Sequence, residues 1–227
     1  MGADPAERRQ QEAAVAAYAD QWRVFGEAVI SIFAIVNPIG GLPLFVALTE
    51  DTPAPDRRRL LRLAGVTALA IIGAMAVAGQ FLMDDVFQVG MEEFAFGGGL
   101  LLVVIGIQRI LKDPSAREAP LADAKARRLL EVRMAVSPIA TPLLVGPGSI
   151  VNVMLVVSRH GRLFALAACL VAFVFVILIL NYAHVVYRLM GRVVAMAIGR
   201  VMEIFIVAIG VKFCFEAVLK VFPGLLK

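Results

Sequence analysis

Two apolar stretches of the sequence are interrupted by prolines and glycines, and these interruptions are where its chemistry is expected. The first reads Asn37-Pro38-Ile39-Gly40-Gly41-Leu42-Pro43, and the second lies within residues 137–149 and contains three prolines. A proline inside a helix removes a backbone donor and clashes with the carbonyl four residues earlier, and glycine has little preference for a helix. Both stretches are therefore predicted to be discontinuous helices.

The breaks should present backbone groups that can bind a ligand. Pro38 and Pro43 are expected to free the carbonyls of Ala34 and Ile39, which suit an ammonium group or a small cation. The amino end of a restarted helix carries about half a positive charge and unpaired N–H groups, which suit a carboxylate. Because a small zwitterion satisfies both demands, we predict a substrate site built from both breaks. Its candidate residues are Asn37, Pro38, Gly40, Gly41, Pro43, Ser137, Thr141, Pro142, Gly146, Pro147, Gly148, Ser149 and Asn152. The alternative is that the breaks only shape helix packing, with Asn37 capping the restarted helix.

Charged residues occur in the last apolar stretch, where a bilayer makes them costly. Glu203 lies three residues from Arg200, which predicts an interfacial ion pair. Lys212 and Glu216 are one helical turn apart and predict a second pair. Glu203, Lys212 and Glu216 are thus candidates either for ion pairing or for coupling transport to an ion.

The other apolar stretches lack the acidic side chains that proton coupling would require. Their interiors contain no carboxylate between Glu27 and the connecting segments. We therefore expect either a sodium ion held by freed carbonyls and hydroxyls such as Ser137 and Thr141, or no coupling ion at all.

The composition requires a membrane around these breaks. The 227 residues are 60% hydrophobic and 18% charged, with a mean hydropathy of +0.85, whereas soluble domains average about 45–50% apolar and 25% charged residues. Windows of about 18 apolar residues predict membrane-spanning helices. Four windows lack charge and two weaker ones complete a set of six spans: 28–49, 63–83, 94–111, 134–158, 163–187 and 201–221.

The spans fall into two groups. The only long polar connection, 113–133, separates a first three-helix repeat (24–112) from a second (134–227), and a polar tail (1–23) precedes them. Asn37-Pro38-Ile39-Gly40 overlays Gly146-Pro147-Gly148-Ser149, and because three spans is an odd number, the halves must be inverted. We predict an all-α membrane protein of six transmembrane helices in two inverted three-helix repeats, with helices one and four broken at mid-membrane. In the second span, Ala70, Ala74 and Ala78 form a small-residue stripe that is expected to pack against a neighbour.

The basic residues predict the orientation of the chain. The net charge of +4 arises from short connections rather than from one soluble face, so no nucleic-acid partner is expected. Connections one, three and five contain fourteen Lys and Arg residues and the opposite side contains seven. By the positive-inside rule, the odd connections are cytoplasmic and both termini face outward.

The motifs resemble those of a known family. The segment from Val36 to Phe45 and the segment from Ser137 to Ile150 are similar to the MarC family of bacterial inner-membrane proteins, within the wider LysE transporter grouping. The resemblance covers roughly residues 24–222 and implies six spans and the movement of small neutral amino acids. It also implies a bacterial inner membrane, in which both outward-facing termini are periplasmic. Two features depart from the family pattern: the longer polar tail, and Lys212 at a position where a neutral polar residue is expected.

Together these features predict a secondary transporter for small neutral amino acids such as alanine, glycine and serine, working by alternating access. Its partners would be a small-molecule substrate and the lipid bilayer, and homo-oligomerisation stays open. The sequence contains only two histidines and no metal-binding motif. We therefore expect no enzyme activity and no catalytic residue, and neither a metal nor a cofactor. The alternatives are a channel or facilitator for a small neutral solute and a non-transporting membrane scaffold.

Overall fold

The computed structural model describes residues 5–50, 52–111 and 144–222, with side chains from residue 19 onward. These parts of the chain form helices joined by short turns and contain no strand, as the all-α prediction requires. The helices are α1 (Pro5–Val36), α2 (Leu42–Leu48), α3 (Ala54–Phe81), α4 (Met91–Leu111), α5 (Pro147–His160), α6 (Arg162–Asn181) and α7 (Ala183–Val221). A π-helical turn, Leu82–Phe87, extends α3.

Four of the described helical segments are long and apolar enough to cross a membrane. They are Ala54–Phe87, Met91–Leu111, Arg162–Asn181 and Ala183–Val221. Large apolar side chains on these helices point away from the protein, including Val174 at 64% and Leu189 at 82% exposure. An apolar exterior of this kind suits lipid. The six-helix inverted repeat and its boundaries stay a prediction, since the connection 113–133 lies outside the described residues.

Contacts between residues near the helix ends show at which end of the bundle each connection lies. Thr49, just after α2, contacts His184 at the start of α7, and we call this the His184 end. At the other end, Arg159 of α5 pairs with Glu216 of α7, and Lys220 pairs with Glu92 at the start of α4. We call this the Arg159 end. Alternate connections therefore lie at opposite ends, as repeated crossing requires.

Small residues allow α3 and α6 to pack closely. The buried face of α3 includes Ala64, Ala68 and Ala76, and that of α6 includes Ala165 and Ala172, all at 0% exposure. Close approach of small residues is a main source of helix association in membranes. This pair forms the centre of the larger apolar core, into which α1, α2 and α5 also pack.

The predicted packing stripe of α3 lies on the wrong face. Ala70, Ala74 and Ala78 are all exposed. The buried stripe, which includes Ala68, Ile72 and Ala76, is offset by two residues and so lies about 200° away around the helix. Both stripes have the four-residue spacing of a packing face, and the spacing alone does not distinguish them.

The second close helix pair is α4 with α7. A Cβ atom placed on Gly99 would lie 2.6 Å from the backbone oxygen of Gly210, and one on Gly210 would lie 2.7 Å from the backbone oxygen of Gly99. The two backbones therefore touch at this crossing. Gly191, with φ of 73°, bends α7 before the crossing and separates the short arm 183–190 from the long helix.

Candidate functional site

The first break is present as a tight turn between α1 and α2. α1 ends at Val36, and Asn37 adopts a left-handed conformation with φ of 48°, which asparagine tolerates better than most residues. Its Oδ1 atom accepts a hydrogen bond of 3.0 Å from the backbone N–H of Gly40. Asn37 is only 7% exposed. Its side chain therefore holds the turn closed within the protein.

One carbonyl that was expected to be free at this break is used. The backbone oxygen of Ile39 accepts a hydrogen bond of 3.1 Å from the N–H of Leu42, and the N–H of Gly41 donates to Asn37 at 3.2 Å. The expectation that Pro43 frees the Ile39 carbonyl is therefore wrong. The reason is that the chain closes a turn across three residues where a helix would have spanned four.

The second break lies just before α5. Gly146 is extended, with φ of −76° and ψ of 166°, and Pro147 is the first residue of the helix, a position that suits proline because its missing donor is not needed there. The Ser149 hydroxyl donates to the Gly146 carbonyl at 2.7 Å, and the Ser149 N–H donates to it at 3.1 Å. Ser149 thus closes the start of the helix. Ser137, Thr141 and Pro142 lie outside the described residues.

The α4 helix covers the beginning of α5. A Cβ atom on Gly148 would collide with the side chain of Leu102, and one on Gly98 would collide with Val151. Gly148 therefore permits the close contact between the two helices. On this side the amino end of α5 is shielded from the surroundings.

A hydrogen bond between α1 and α5 places the two breaks at the same level. The hydroxyl of Ser31 donates to Oδ1 of Asn152 at 2.8 Å. The ring of Phe25, six residues before Ser31, contacts that of Phe164 with centroids 5.4 Å apart. Because Phe164 lies just past the end of α5, in the first turn of α6, α1 and α5 run in opposite directions. Asn37 is six residues past Ser31, and Gly146 is six residues before Asn152. Each break therefore lies about 9 Å from this hydrogen bond, toward the same end.

Asn152 has hydrogen-bonding capacity that the described residues leave unused. The residue is 4% exposed, and its Nδ2 atom is buried without a partner in the described parts of the chain. A buried amide that is only half satisfied costs free energy. Because helical side chains lean toward the helix amino end, the Asn152 amide lies over the turn that contains Gly148 and Ser149.

The last helix α7 closes the first break from another side. A Cβ atom on Gly199 would lie 3.7 Å from both Cα and the backbone oxygen of Gly40. The turn of the first break therefore rests directly against the backbone of α7. Neutral polar side chains and backbone groups at the two breaks are thereby enclosed by α1, α4, α5 and α7.

Two of the charged candidates, Lys212 and Glu216, lie at the Arg159 end of the bundle. Glu216 pairs with Arg159, and its Oε1 atom lies 3.7 Å from Nζ of Lys212. The Lys212 side chain is 66% exposed, so it points out of the bundle. The predicted Lys212–Glu216 pair is present, as part of a small ion cluster at the Arg159 end.

The predicted Arg200–Glu203 ion pair is absent from the described residues. Arg200 Nη1 instead donates to the backbone oxygen of Ile110 at 2.8 Å. Pro114, four residues after Ile110, has no backbone N–H to donate to this carbonyl, which makes it a suitable acceptor for the guanidinium. Arg200 therefore joins the end of α4 to α7, and Glu203 stays half-buried along the same helix pair.

Several contacting residues had not been singled out by the sequence motifs. Ser31 contacts Asn152, and Thr49 and Arg57 both contact His184 at the His184 end. A serine inside an apolar run carries no motif, and these pairs are separated by more than 120 residues in the sequence. In the described parts of the chain, no cluster of three His, Cys, Asp or Glu residues could bind a metal ion.

Comparison with known proteins identifies the family. A profile of MarC family integral membrane proteins matches residues 22–222. The chain belongs to the MarC family. The predicted resemblance is therefore confirmed, and together with its long apolar helices this membership makes it a multi-pass inner membrane protein.

Relatives of this MarC family member are found in both archaea and bacteria. A membrane protein of Methanocaldococcus jannaschii is 30% identical over 82% of this chain and 91% of its own length. A membrane protein of Archaeoglobus fulgidus is 30% identical over 85% of this chain and 91% of its own length. The inner membrane protein MarC of Salmonella typhimurium is 28% identical over 89% of this chain and 97% of its own length. No solved structure matches the chain.

Proposed function

We propose that this MarC family member is a secondary transporter for small neutral amino acids, with its substrate bound between the two helix breaks. The observation that carries the proposal is the arrangement of these breaks. They lie at the same level, about 9 Å from the Ser31–Asn152 hydrogen bond. Interrupted helices at membrane depth are tolerated where they are buried in protein or line a cavity, and in transporters such breaks bind the substrate.

The size and charge of the polar groups favour this substrate class. Asn37, Ser149 and Asn152 are all neutral and less than 10% exposed. The amino end of α5 and the Asn152 Nδ2 atom, which has no partner among the described residues, can receive a carboxylate. Backbone oxygens at the first turn can receive an ammonium group. The helices are in close contact at Gly148 and Gly199, which favours a substrate with a small side chain.

Alternating access agrees with polar contacts at both ends. Arg159 and Glu216 join helices at one end, and Thr49 and His184 join them at the other. Such contacts can break and reform as one end opens while the other stays closed. In this proposal the halves are inverted repeats, the odd connections are cytoplasmic and both termini are periplasmic.

The proposal is tested by transport in liposomes that contain the purified protein. Labelled alanine, glycine and serine are offered in uptake and in counterflow against unlabelled amino acid. Saturable exchange that accelerates with amino acid on the far side identifies a carrier. Non-saturating flux without counterflow would replace the carrier with a channel, and silence for every solute would favour a scaffold.

A further inference from the structure

A chain of hydrogen bonds at the His184 end joins three helices. Nη1 of Arg57, in the first turn of α3, lies 2.8 Å from Nδ1 of His184. Nε2 of His184 lies 2.9 Å from the Thr49 hydroxyl, and that hydroxyl lies 2.7 Å from the backbone oxygen of Phe45 in α2. Arg57 is also anchored, since its Nε and Nη2 atoms donate to the Thr52 carbonyl at 3.2 and 2.9 Å.

The chemistry of these atoms fixes the direction of every hydrogen bond. A guanidinium can only donate, so Nδ1 of His184 must accept and carries no proton. A neutral ring then carries its single proton on Nε2, which donates to the Thr49 oxygen. The Thr49 proton is donated in turn to the Phe45 carbonyl. Each donor has one acceptor, and only one tautomer of a neutral His184 satisfies them all.

We propose that Arg57, His184 and Thr49 form a proton-sensitive latch that holds the His184 end closed. When His184 takes a second proton from water, Nδ1 becomes a donor that faces another donor on Arg57. The hydrogen bond is lost and two positive charges are left 2.8 Å apart at their nearest nitrogen atoms. The latch is therefore closed while the ring is neutral and opens as the pH falls, because the open state binds the additional proton.

Charged groups on each neighbouring element act on His184. Arg57 from α3 and Arg188 from the short arm of α7 oppose a positive ring, and Glu50, which follows α2, favours it. Asp56, Arg58 and Arg59 on the first turns of α3 are exposed to solvent. Two cations and one carboxylate therefore face the ring, and Glu50 offers a partner to the charged ring once the latch has opened.

The latch joins the two elements that cover the first break. Thr49 ends the α2 segment, which begins beside the break, and His184 belongs to α7, whose Gly199 rests against Gly40. Separation of α2 from α7 at the His184 end would expose the break to that side. This role as a gate rests on the proposed transport function, whereas the latch and its pH dependence rest on the hydrogen bonds alone.

Accessibility of a buried position tests the latch without any substrate. Ala195 is 0% exposed and lies one turn from Gly199, toward the His184 end. The Ala195→Cys variant, with Cys169 and Cys214 changed to Ala, is labelled in detergent by a hydrophilic thiol reagent at pH 8 and pH 5.5. The same labelling is done in the His184→Gln background. This reference corrects for the pH dependence of the labelling reaction itself, which is the same in both proteins.

The ratio of the labelling rate in the His184 protein to that in the His184→Gln protein should rise about tenfold between pH 8 and pH 5.5. A tenfold change corresponds to the loss of one hydrogen bond to a charged group. His160, the other histidine of the chain, supplies the matched control, and His160→Gln should keep the rise. The same pH dependence with and without His184 would overturn the latch. Absence of transport would not affect this result, so failure of the carrier proposal and failure of the latch are distinguishable.

The protonation state can also be read in the protein without an introduced cysteine. In the His160→Gln variant, His184 is the only histidine, and nitrogen NMR of labelled histidine reports both ring nitrogens. The latch predicts a bare Nδ1 and a protonated Nε2 at pH 8, and a proton on both ring nitrogens once the pH is low enough to open it. A proton on Nδ1 at pH 8 would overturn it.

Discussion

The crossing of α4 and α7 gives a prediction for three consecutive glycines. A Cβ atom placed on Gly97 would have no atom within 4 Å, whereas one on Gly99 would lie 2.6 Å from the Gly210 oxygen and 3.1 Å from the Cys214 backbone nitrogen. These two atoms belong to the backbone and cannot rotate away, and the Cys214 Sγ atom lies 2.8 Å from the same Cβ position. Normal contact distances of about 3.5–4.0 Å require the helices to separate by about 1 Å.

The cost of Gly99→Ala follows from this separation. Overpacking of a well-packed interface costs about 1–3 kcal/mol. The gain in helix propensity of up to about 1 kcal/mol applies equally to Gly97→Ala, and so it cancels when the two variants are compared. We therefore expect Gly99→Ala to be less stable than Gly97→Ala by about 1–3 kcal/mol.

The assay measures the free energy of unfolding in mixed micelles titrated with sodium dodecyl sulfate. The Cys169 thiol is fully buried, so its labelling, read by mass spectrometry of its peptide, reports the unfolded fraction. Gly97→Ala should match or exceed the unaltered protein in stability. Equal stability of Gly97→Ala and Gly99→Ala would refute the close crossing of α4 and α7.

Three further predictions concern the breaks, coupling and orientation. Pro38→Ala and Pro147→Ala should let each helix continue and restore backbone hydrogen bonds. Thermal stability should then be equal or higher while amino acid flux falls, and native flux in both variants would show that the breaks only shape helix packing. Flux in liposomes should be driven by a sodium gradient or by substrate alone; concentrative uptake with a proton gradient alone, abolished by Glu203→Gln, would contradict this. An impermeant thiol reagent applied to intact cells should label a cysteine introduced in the tail at Gln21 and spare one in the connection 113–133; the reverse pattern would contradict the periplasmic termini.

The helical class and the first break could be predicted because they depend on local chemistry. The position of Pro38 within an apolar run is enough to interrupt α1 at Val36. The fate of the Ile39 carbonyl could not be read in the same way, because it depends on the particular turn that Gly41 and Leu42 form. Sequence patterns predict where a helix stops better than they predict how the freed groups are satisfied.

Contacts between distant helices were the least predictable part. Ala70, Ala74 and Ala78 have the spacing of a packing face, yet they are exposed because the neighbouring helix lies against the opposite stripe. Arg200 was expected to pair with the nearby Glu203, but a carbonyl ninety residues away is its acceptor. In each case the deciding partner belongs to another helix, and helix periodicity contains no information about it.

The hydrogen bond between Ser31 and Asn152 was missed for the same reason, and it now defines the relation between the breaks. The Asn152 Nδ2 atom, which has no partner in the described parts of the chain, also distinguishes a functional role from a structural one. Replacement of both partners by apolar residues should be neutral or stabilising, since it removes a buried polar group that is only half satisfied. A residue needed only for folding would behave in the opposite way.

Counterflow of labelled alanine through the Ser31→Ala/Asn152→Leu variant in liposomes is the most direct test of the proposed site. Ser158→Ala, at the exposed end of the same helix, is the control. If the breaks bind the substrate, the control exchanges alanine as the unaltered protein does. The rate of exchange by the double variant falls at least about tenfold, the loss expected for a hydrogen bond to a carboxylate, while its free energy of unfolding does not fall. Native exchange in the double variant would contradict a substrate site at the breaks.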